Sequence, residues 1–351
     1  MKARKALVGS SAAPGGYELA HDVNIPSPNP GMMLCKVAAV AVTPVDAKMA
    51  DYSPSQGSIG GCDFAGEIVE VGRDVTRFKP GDRVFGLAFG LNPDDKTAGA
   101  FSEYSLATED LTYHMPPWMT FQEASTFPIG IGTALCSLYG TLGLPTPDSP
   151  AETPLYVLVS GGATASGLMA IQFLKISGLW PIATCSPKNF ARVKSLGAVQ
   201  AFDYNGSACG MEIRNYTENT LSYALDCVAS SETMYMCFEA IGTSGGRYVA
   251  LEPPSRMVKY TRRDVYADWV MAFTLFGNPV RLSGAYGRPA MPSDRQLAAR
   301  CSPMVERLIS ERMLTAPRIQ ERSGGLEALQ QGIDDVRKGK IKGYKLVYRL
   351  D

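Results

Sequence analysis

The 351-residue sequence predicts an α/β protein of two domains, one β-rich and partly barrel-like, the other built on a doubly wound parallel sheet. Three observations predict this. Up to residue 150, short apolar runs alternate with Gly and Pro. Beyond it, strand and helix patterns alternate. A turn rich in Gly, Ala and Ser at 161–167 follows a strand pattern and opens a helix pattern.

In the first part, 34–42, 64–71 (closed by Gly72) and 82–88 read as strands, and many short strands with turn signals suggest a partly closed β domain. Pro145, Pro147, Pro150 and Pro154 mark a connection. The run 155–159 is a continuous apolar strand. A helix is predicted over 167–177, with Leu168, Ile171 and Leu174 on one face. A strand over 181–185 follows, then a helix over 188–196 stopped by Gly197. Further strands fall at 199–203, 223–227 and 247–251. The segment 270–292 breaks the rhythm with Gly277, Pro279, Gly284, Gly287, Pro289 and Pro292. Helices over 295–311 and 326–338 and a strand over 345–350 complete the chain. The expected division is a β-rich domain of 1–150 completed by 285–351, and a nucleotide-binding domain of 151–284.

Lys and Arg number 34, as do Asp and Glu, so no net charge draws the chain to nucleic acid or to an anionic membrane. No apolar run approaches a bilayer span, and the start of the chain, Met1 to Ser11, has too short an apolar stretch for a secretory core. The eight cysteines contain no C-x-x-C pair, which reads as reduced, buried thiols in a cytoplasmic protein.

The turn Gly161-Gly162-Ala163-Thr164-Ala165-Ser166-Gly167 sits where a dinucleotide diphosphate meets a helix N-terminus. Thr164 occupies the middle glycine position of G-x-G-x-x-G, so a tight turn of another α/β fold accounts for these letters about as well. The end of the next strand adds weight. No Asp or Glu stands there for a ribose 2′-hydroxyl, whereas Ser186, Lys188 and Asn189 suit a 2′-phosphate, with Arg192 one turn on and Tyr204 in reach of an adenine. Taken alone, Ser186 as a helix N-cap with Pro187 after it is the simpler reading. After a phosphate turn at this spacing, NADPH is the better one.

Gly61-Cys62-Asp63-Phe64-Ala65-Gly66-Glu67-Ile68-Val69-Glu70-Val71-Gly72, Phe78-Lys79-Pro80-Gly81-Asp82-Arg83-Val84-Phe85-Gly86 and Gly99-Ala100-Phe101-Ser102-Glu103-Tyr104 resemble the core of the medium-chain dehydrogenase/reductases. Cys185-Ser186-Pro187-Lys188-Asn189-Phe190, Tyr223-Ala224-Leu225-Asp226-Cys227, Phe276-Gly277, Val336-Arg337-Lys338-Gly339 and Lys345-Leu346-Val347 resemble, more narrowly, the trans-acting enoyl reductases of fungal polyketide pathways. The resemblance implies a GroES-like substrate domain beside a Rossmann-type one. It also implies an NADPH-dependent enoyl reductase that reduces α,β-unsaturated thioesters on the acyl carrier domain of a polyketide synthase, or of a polyketide synthase–peptide synthetase hybrid. By position it implies NADPH contacts at Val45, Asp46, Ala47, Lys48, Ala163, Thr164, Ala165, Ser166, Ser186, Pro187, Lys188, Asn189, Tyr204, Leu251, Glu252, Lys342 and Gly343. The stretches Thr126-Phe127-Pro128-Ile129-Gly130-Ile131-Gly132-Thr133 and Met271-Ala272-Phe273-Thr274-Leu275 match its acyl-binding walls; unaided, they read as a strand-to-helix connection and as core. Members tend to be monomeric, and prolines at 279 and 289 would guard a sheet edge against pairing.

No zinc is expected. The Gly-His-Glu of zinc-dependent relatives reads Gly61-Cys62-Asp63, a ligand cysteine gives way around Thr43-Pro44-Val45-Asp46, and neither His21 nor His114 sits in a ligand pattern. Lys48 is the first choice for a functional side chain, positioning the cofactor rather than acting as an acid; water, a Tyr or Lys48 could protonate the α-carbon. Thr133 is a weaker candidate for holding the substrate carbonyl. Two rival readings share the fold: a quinone or enone reductase acting on free small molecules, and an NADPH-binding partner of a synthase that performs no reduction.

Overall fold

The computed structural model of the chain describes residues 3–10 and 15–350; Met1, Lys2 and Ser11, in the stretch expected to hold no secretory core, lie outside them. Two compact units form, one from the residues up to Ile129 together with those from Phe273 onward, the other from Gly130–Ala272. The sequence places these divisions at 150 and 284 instead. A local cause explains the first difference. Before the proline-rich connection, the helix Pro128–Ala134 runs into a π-helical turn, Leu135–Thr141, that packs into the second unit. There Tyr139 sets its ring edge-on to Phe173, centroids 6.1 Å apart, and its hydroxyl lies 3.0 Å from Ser177 Oγ. Prolines mark where the chain turns, not where packing ends.

In the first unit, β1 (Ala3–Gly9) and β2 (Tyr17–Asn24) pair antiparallel. The long β3 (Met32–Val42) pairs antiparallel with β4 (Asp63–Val71), which continues to β5 (Arg83–Leu87). Strands β6 (Tyr104–Thr108) and β7 (Thr112–His114) pair with β3 and β5. Register shifts at Leu34/Cys35 and Val37/Ala39 bend β3, as expected where a sheet curls toward closure. Small residues make the pairing tight: a Cβ added at Gly66 would stand 2.1 Å from the Lys36 carbonyl oxygen.

The second unit alternates strand and helix: β8 (Tyr156–Ser160), β9 (Trp180–Thr184), β10 (Gln200–Phe202), β11 (Tyr223–Asp226), β12 (Gly246–Ala250) and β13 (Val265–Trp269). All pair in parallel, in the spatial order β10-β9-β8-β11-β12-β13, which is the 3-2-1-4-5-6 order of a Rossmann sheet. Helices on both faces explain why Val157, Leu158, Val159, Ala224 and Leu225 are all buried without alternation. The carboxylate of Asp226, buried at the end of β11, accepts from Val228 N and Ala229 N at 3.0 Å each, from Thr233 Oγ1 at 2.7 Å and from the Tyr248 hydroxyl at 2.9 Å. Those four donors fix the turn after the strand.

The tail returns to the first unit. There β14 (Ile319–Arg322) pairs with β15 (Lys345–Arg349), and β15 pairs antiparallel with β3. The predicted strands and helices appear within a few residues of their expected bounds, with one refinement. The helix expected over 188–196 opens as a 3-10 turn, Pro187–Asn189, before Phe190–Ser195. The helix Pro44–Tyr52 and strand β13 are not anticipated by the sequence reading. The segment holding Pro279 and Pro289 also differs from expectation. It belongs to the first unit, where Val280 and Arg288 exchange backbone hydrogen bonds of 3.0 and 2.8 Å, so it is not an extension of the parallel sheet.

Candidate active site

The turn at 161–167 is built by three close approaches. Gly161 has φ +72°, and its N–H donates to Thr184 Oγ1 at 3.3 Å. A Cβ on Gly162 would meet Ala183 Cβ at 2.7 Å, and one on Gly167 would meet the Gly161 carbonyl oxygen at 2.4 Å. Gly161 thus serves the tight turn, and Gly167 the close seating of the helix. Thr164, in the place of the middle glycine, is the N-cap of the helix Ala165–Ile176: its side chain accepts from Gly167 N at 3.0 Å. The N–H groups of Ala165 and Ser166, in the first turn, have no acceptor within a helix of this geometry. Unpaired N–H groups of this kind at a helix start suit a diphosphate, and the residue before them, Thr164, is exposed.

At the end of β9, Ser186 is the N-cap of the 3-10 turn, with Pro187 at its first position. Asn189 Nδ2 lies 3.3 Å from Ser186 Oγ, while Pro187 and Lys188 are exposed. Tyr204, in the turn after β10, is 51% exposed. Leu251 and Glu252 follow β12 and are half-buried. Ser186 thus occupies the N-cap position without a side-chain capping bond, and an exposed basic side chain, Lys188, follows it.

In the first unit, Val45, Asp46, Ala47 and Lys48 lie on the helix Pro44–Tyr52, whose N-cap is Thr43. Val45 and Lys48 are half-buried, Asp46 and Ala47 buried. Thr43 N donates to Asp46 Oδ2 at 2.7 Å, and the Tyr17 hydroxyl donates to the Asp46 carbonyl at 2.7 Å. Burial raises the Asp46 carboxyl to about 7; the Thr43 N–H opposes the rise and Asp63 adds to it. Behind this helix lies a group that the sequence reading missed. The Lys345 ammonium pairs with Asp63 Oδ2 at 2.7 Å, both side chains buried. A Lys opening the apolar run Leu346-Val347-Tyr348 signals a buried ammonium, though not its partner.

The stretch 126–133 is buried throughout. Thr126 Oγ1 donates to the Glu123 carbonyl at 2.7 Å, and Ile129 N to Asp63 Oδ1 at 2.7 Å. Gly130, Ile131, Gly132 and Thr133 continue the helix into the second unit. Of the second stretch, Met271 is half-buried and the rest buried, Phe273 stacking on Phe89 with centroids 4.3 Å apart and planes at 6°. Thr274 donates to Asp294 at the start of the helix Pro292–Ser310. Lys342 and Gly343 (φ +77°) form an exposed approach to β15.

A zinc ion does not fit these residues. Both oxygens of Asp63 are engaged, and burial pushes the Cys62 thiol well up, disfavouring the thiolate that zinc requires. Among the described residues, no three His, Cys, Asp or Glu stand where they could hold a metal ion. Among the described residues, none of the eight cysteines is in a disulfide, and all are buried except the half-buried Cys227. No helix among the described residues is long and apolar enough to cross a membrane.

A curled antiparallel unit and a Rossmann sheet with a tight glycine turn after its first strand define a medium-chain dehydrogenase/reductase, a class of oxidoreductase that uses a nicotinamide cofactor. Residues 29–117 match the family described as alcohol dehydrogenase GroES-like domain, and residues 165–262 that described as zinc-binding dehydrogenase. A trans-enoyl reductase of Gibberella fujikuroi is 49% identical over 99% of both chains. One of Penicillium sp. is 45% identical, over 98% of this chain and 97% of its own. Among solved structures, the CurK enoyl reductase overlays with a TM-score of 0.75 at 18% identity, covering 99% of each chain, and shares the fold. The chain belongs to the trans-enoyl reductases, as an enzyme of the medium-chain dehydrogenase/reductase superfamily.

Proposed function

We propose that the chain reduces the activated double bond of α,β-unsaturated polyketide thioesters, using NADPH, while the thioester is held on the acyl carrier domain of a partner polyketide synthase or synthase–peptide synthetase hybrid. The observation that carries this reading is 49% identity, along nearly the full length of both chains, to a protein named a trans-enoyl reductase.

NADPH bound at the glycine turn supplies the hydride that the β-carbon receives. The chain's own part is to hold and orient. The N–H groups of Ala165 and Ser166 bind the diphosphate. Ser186, Lys188 and Asn189 hold the 2′-phosphate, in a turn with no Asp or Glu to favour NADH. Tyr204 covers the adenine. Val45, Asp46, Ala47, Leu251, Glu252, Lys342 and Gly343 complete the cofactor contacts, with Lys48 as the positioning side chain. The buried stretches 126–133 and 271–275 form the acyl wall, and a donor there, with Thr133 the candidate, stabilises the charge that grows on the thioester oxygen. We place the protein in the cytoplasm as a monomer.

The test is NADPH oxidation with an α,β-unsaturated acyl-pantetheine thioester, beside NADH and a simple quinone. Turnover of the thioester with NADPH is expected. Turnover of the quinone alone would overturn the reading in favour of a reductase of free small molecules. If neither probe turns over, the same thioester on a carrier domain decides between a need for the carrier and a non-reducing role.

A further inference from the structure

Asp63 opens β4 with its side chain wholly buried. Its Oδ1 accepts from the Ile129 N–H at 2.7 Å. Its Oδ2 accepts from the Thr43 hydroxyl at 2.9 Å and from the Lys345 ammonium at 2.7 Å. Lys345 also donates to Thr43 Oγ1, closing a triangle. The three donors come from distant parts of the chain, and each stands at the start of an element. Thr43 caps the helix Pro44–Tyr52, Ile129 lies in the first turn of the helix Pro128–Ala134, and Lys345 opens β15. Ile129 lies within the stretch 126–133, and Thr43 and Lys345 stand two residues from 45–48 and 342–343.

Stability alone explains this arrangement poorly. Taking a carboxylate and an ammonium out of water offsets most of their attraction, and a well-packed apolar pair often serves a fold as well. A charged pair with every bond directed does something an apolar pair does not: it sets the relative placement of its donors to hydrogen-bond tolerance. We propose that Asp63 and Lys345 are positioning residues of the reductase, tying the cofactor-binding helix, the start of the acyl wall and the approach to β15 to one buried carboxylate. The inference rests on the function proposed above.

The test compares wild type with Lys345→Arg and with the double variant Asp63→Leu/Lys345→Met, using NADPH and an α,β-unsaturated acyl-pantetheine thioester. The double variant removes both charges together and so leaves no uncompensated ion. Circular dichroism fixes the folded fraction, and rates are expressed per folded molecule. The expected result for the double variant is a loss of at least about tenfold in kcat/KM, with a raised KM for the thioester and a raised Kd for NADPH. Lys345→Arg keeps the charge pair, but its planar head cannot reach Thr43 and Asp63 from one nitrogen in the same way. A several-fold loss in kcat/KM per folded molecule is expected for it, over and above any fall in Tm from the larger head. Wild-type kcat/KM per folded molecule in either variant overturns the inference, and Lys345→Arg decides alone where the double variant does not fold. Failure of the wild type to reduce both the free and the carrier-bound thioester overturns the proposed function instead, so the two failures are distinct.

Discussion

The Lys259 ammonium donates to the Ala267 carbonyl at 3.3 Å on the free edge of β13. Val270 N bonds to Ala250 O and Gly246 N to Asp264 O, so residues 264 and 270 face β12, while 265, 267 and 269 face outward. The outward N–H of Val265 turns back to Arg262 O at 3.4 Å, and that of Trp269 to Asp268 Oδ1 at 2.8 Å. An edge at which the outward donors of Val265 and Trp269 and the acceptor of Ala267 are taken up by its own chain is a poorer template for a second copy. The chain is expected to run as a monomer in size-exclusion chromatography with light scattering. Lys259→Ala/Asp268→Ala should introduce a concentration-dependent dimer. A wild-type dimer that persists on dilution would show that the edge is not guarded in this way.

Gly167→Ala should break the glycine turn. The new Cβ would lie 2.4 Å from the Gly161 carbonyl oxygen and 2.8 Å from Gly162 Cα, both backbone atoms that cannot swing aside. Overpacking of this kind costs about 1–3 kcal/mol of stability. The displaced helix start should also weaken NADPH by about tenfold or more, equivalent to roughly 1.4 kcal/mol. Thermal denaturation and NADPH fluorescence titration measure the two effects. Full NADPH affinity in this variant would mean that the diphosphate does not lie on the turn.

Much of this was legible in the sequence because period and punctuation carry it. The apolar run at Val157-Leu158-Val159 and the stop at Gly197 place β8 and the end of the helix Phe190–Ser195 almost to the residue. The helix Pro44–Tyr52 was not legible. Its buried positions include Asp46, so the charge hides the apolar face, and Pro44 reads as a breaker until it is placed at the first helical turn. Strand β13 was masked by Tyr266 and Asp268, which face away from its core side. The Asp63–Lys345 pair joins positions 282 apart, and no local pattern reports a contact of that range.

Lys188→Ala should separate the two nicotinamide cofactors. The side chain is exposed at the turn after β9, and that turn offers no acid to a ribose 2′-hydroxyl. Loss of one charge-assisted hydrogen bond, worth about 1.5 kcal/mol, should raise the KM for NADPH roughly tenfold. The KM for NADH should be unchanged, because it lacks the 2′-phosphate. Equal effects on both cofactors would place Lys188 away from the 2′-phosphate.

Asp46 should make stability fall as pH rises. Burial, reinforced by Asp63 and opposed by the Thr43 N–H and Lys345, holds its folded carboxyl at about 7, above the ordinary value of 3.8 that it regains on unfolding. The folded state therefore binds the proton more tightly than the unfolded state. This group's stabilising contribution is fully present below the unfolded value and is lost as pH rises through about 7. The slope approaches roughly 1.4 kcal/mol per pH unit between those limits and levels off above them. Asp46→Asn keeps an acceptor for the Thr43 N–H and carries no proton to lose, so its urea-denaturation midpoint should lack this component between pH 4.5 and 7, a window of about two and a half units. The same slope in wild type and variant would assign the pH dependence to another group and place the Asp46 carboxyl among ordinary, ionised carboxylates.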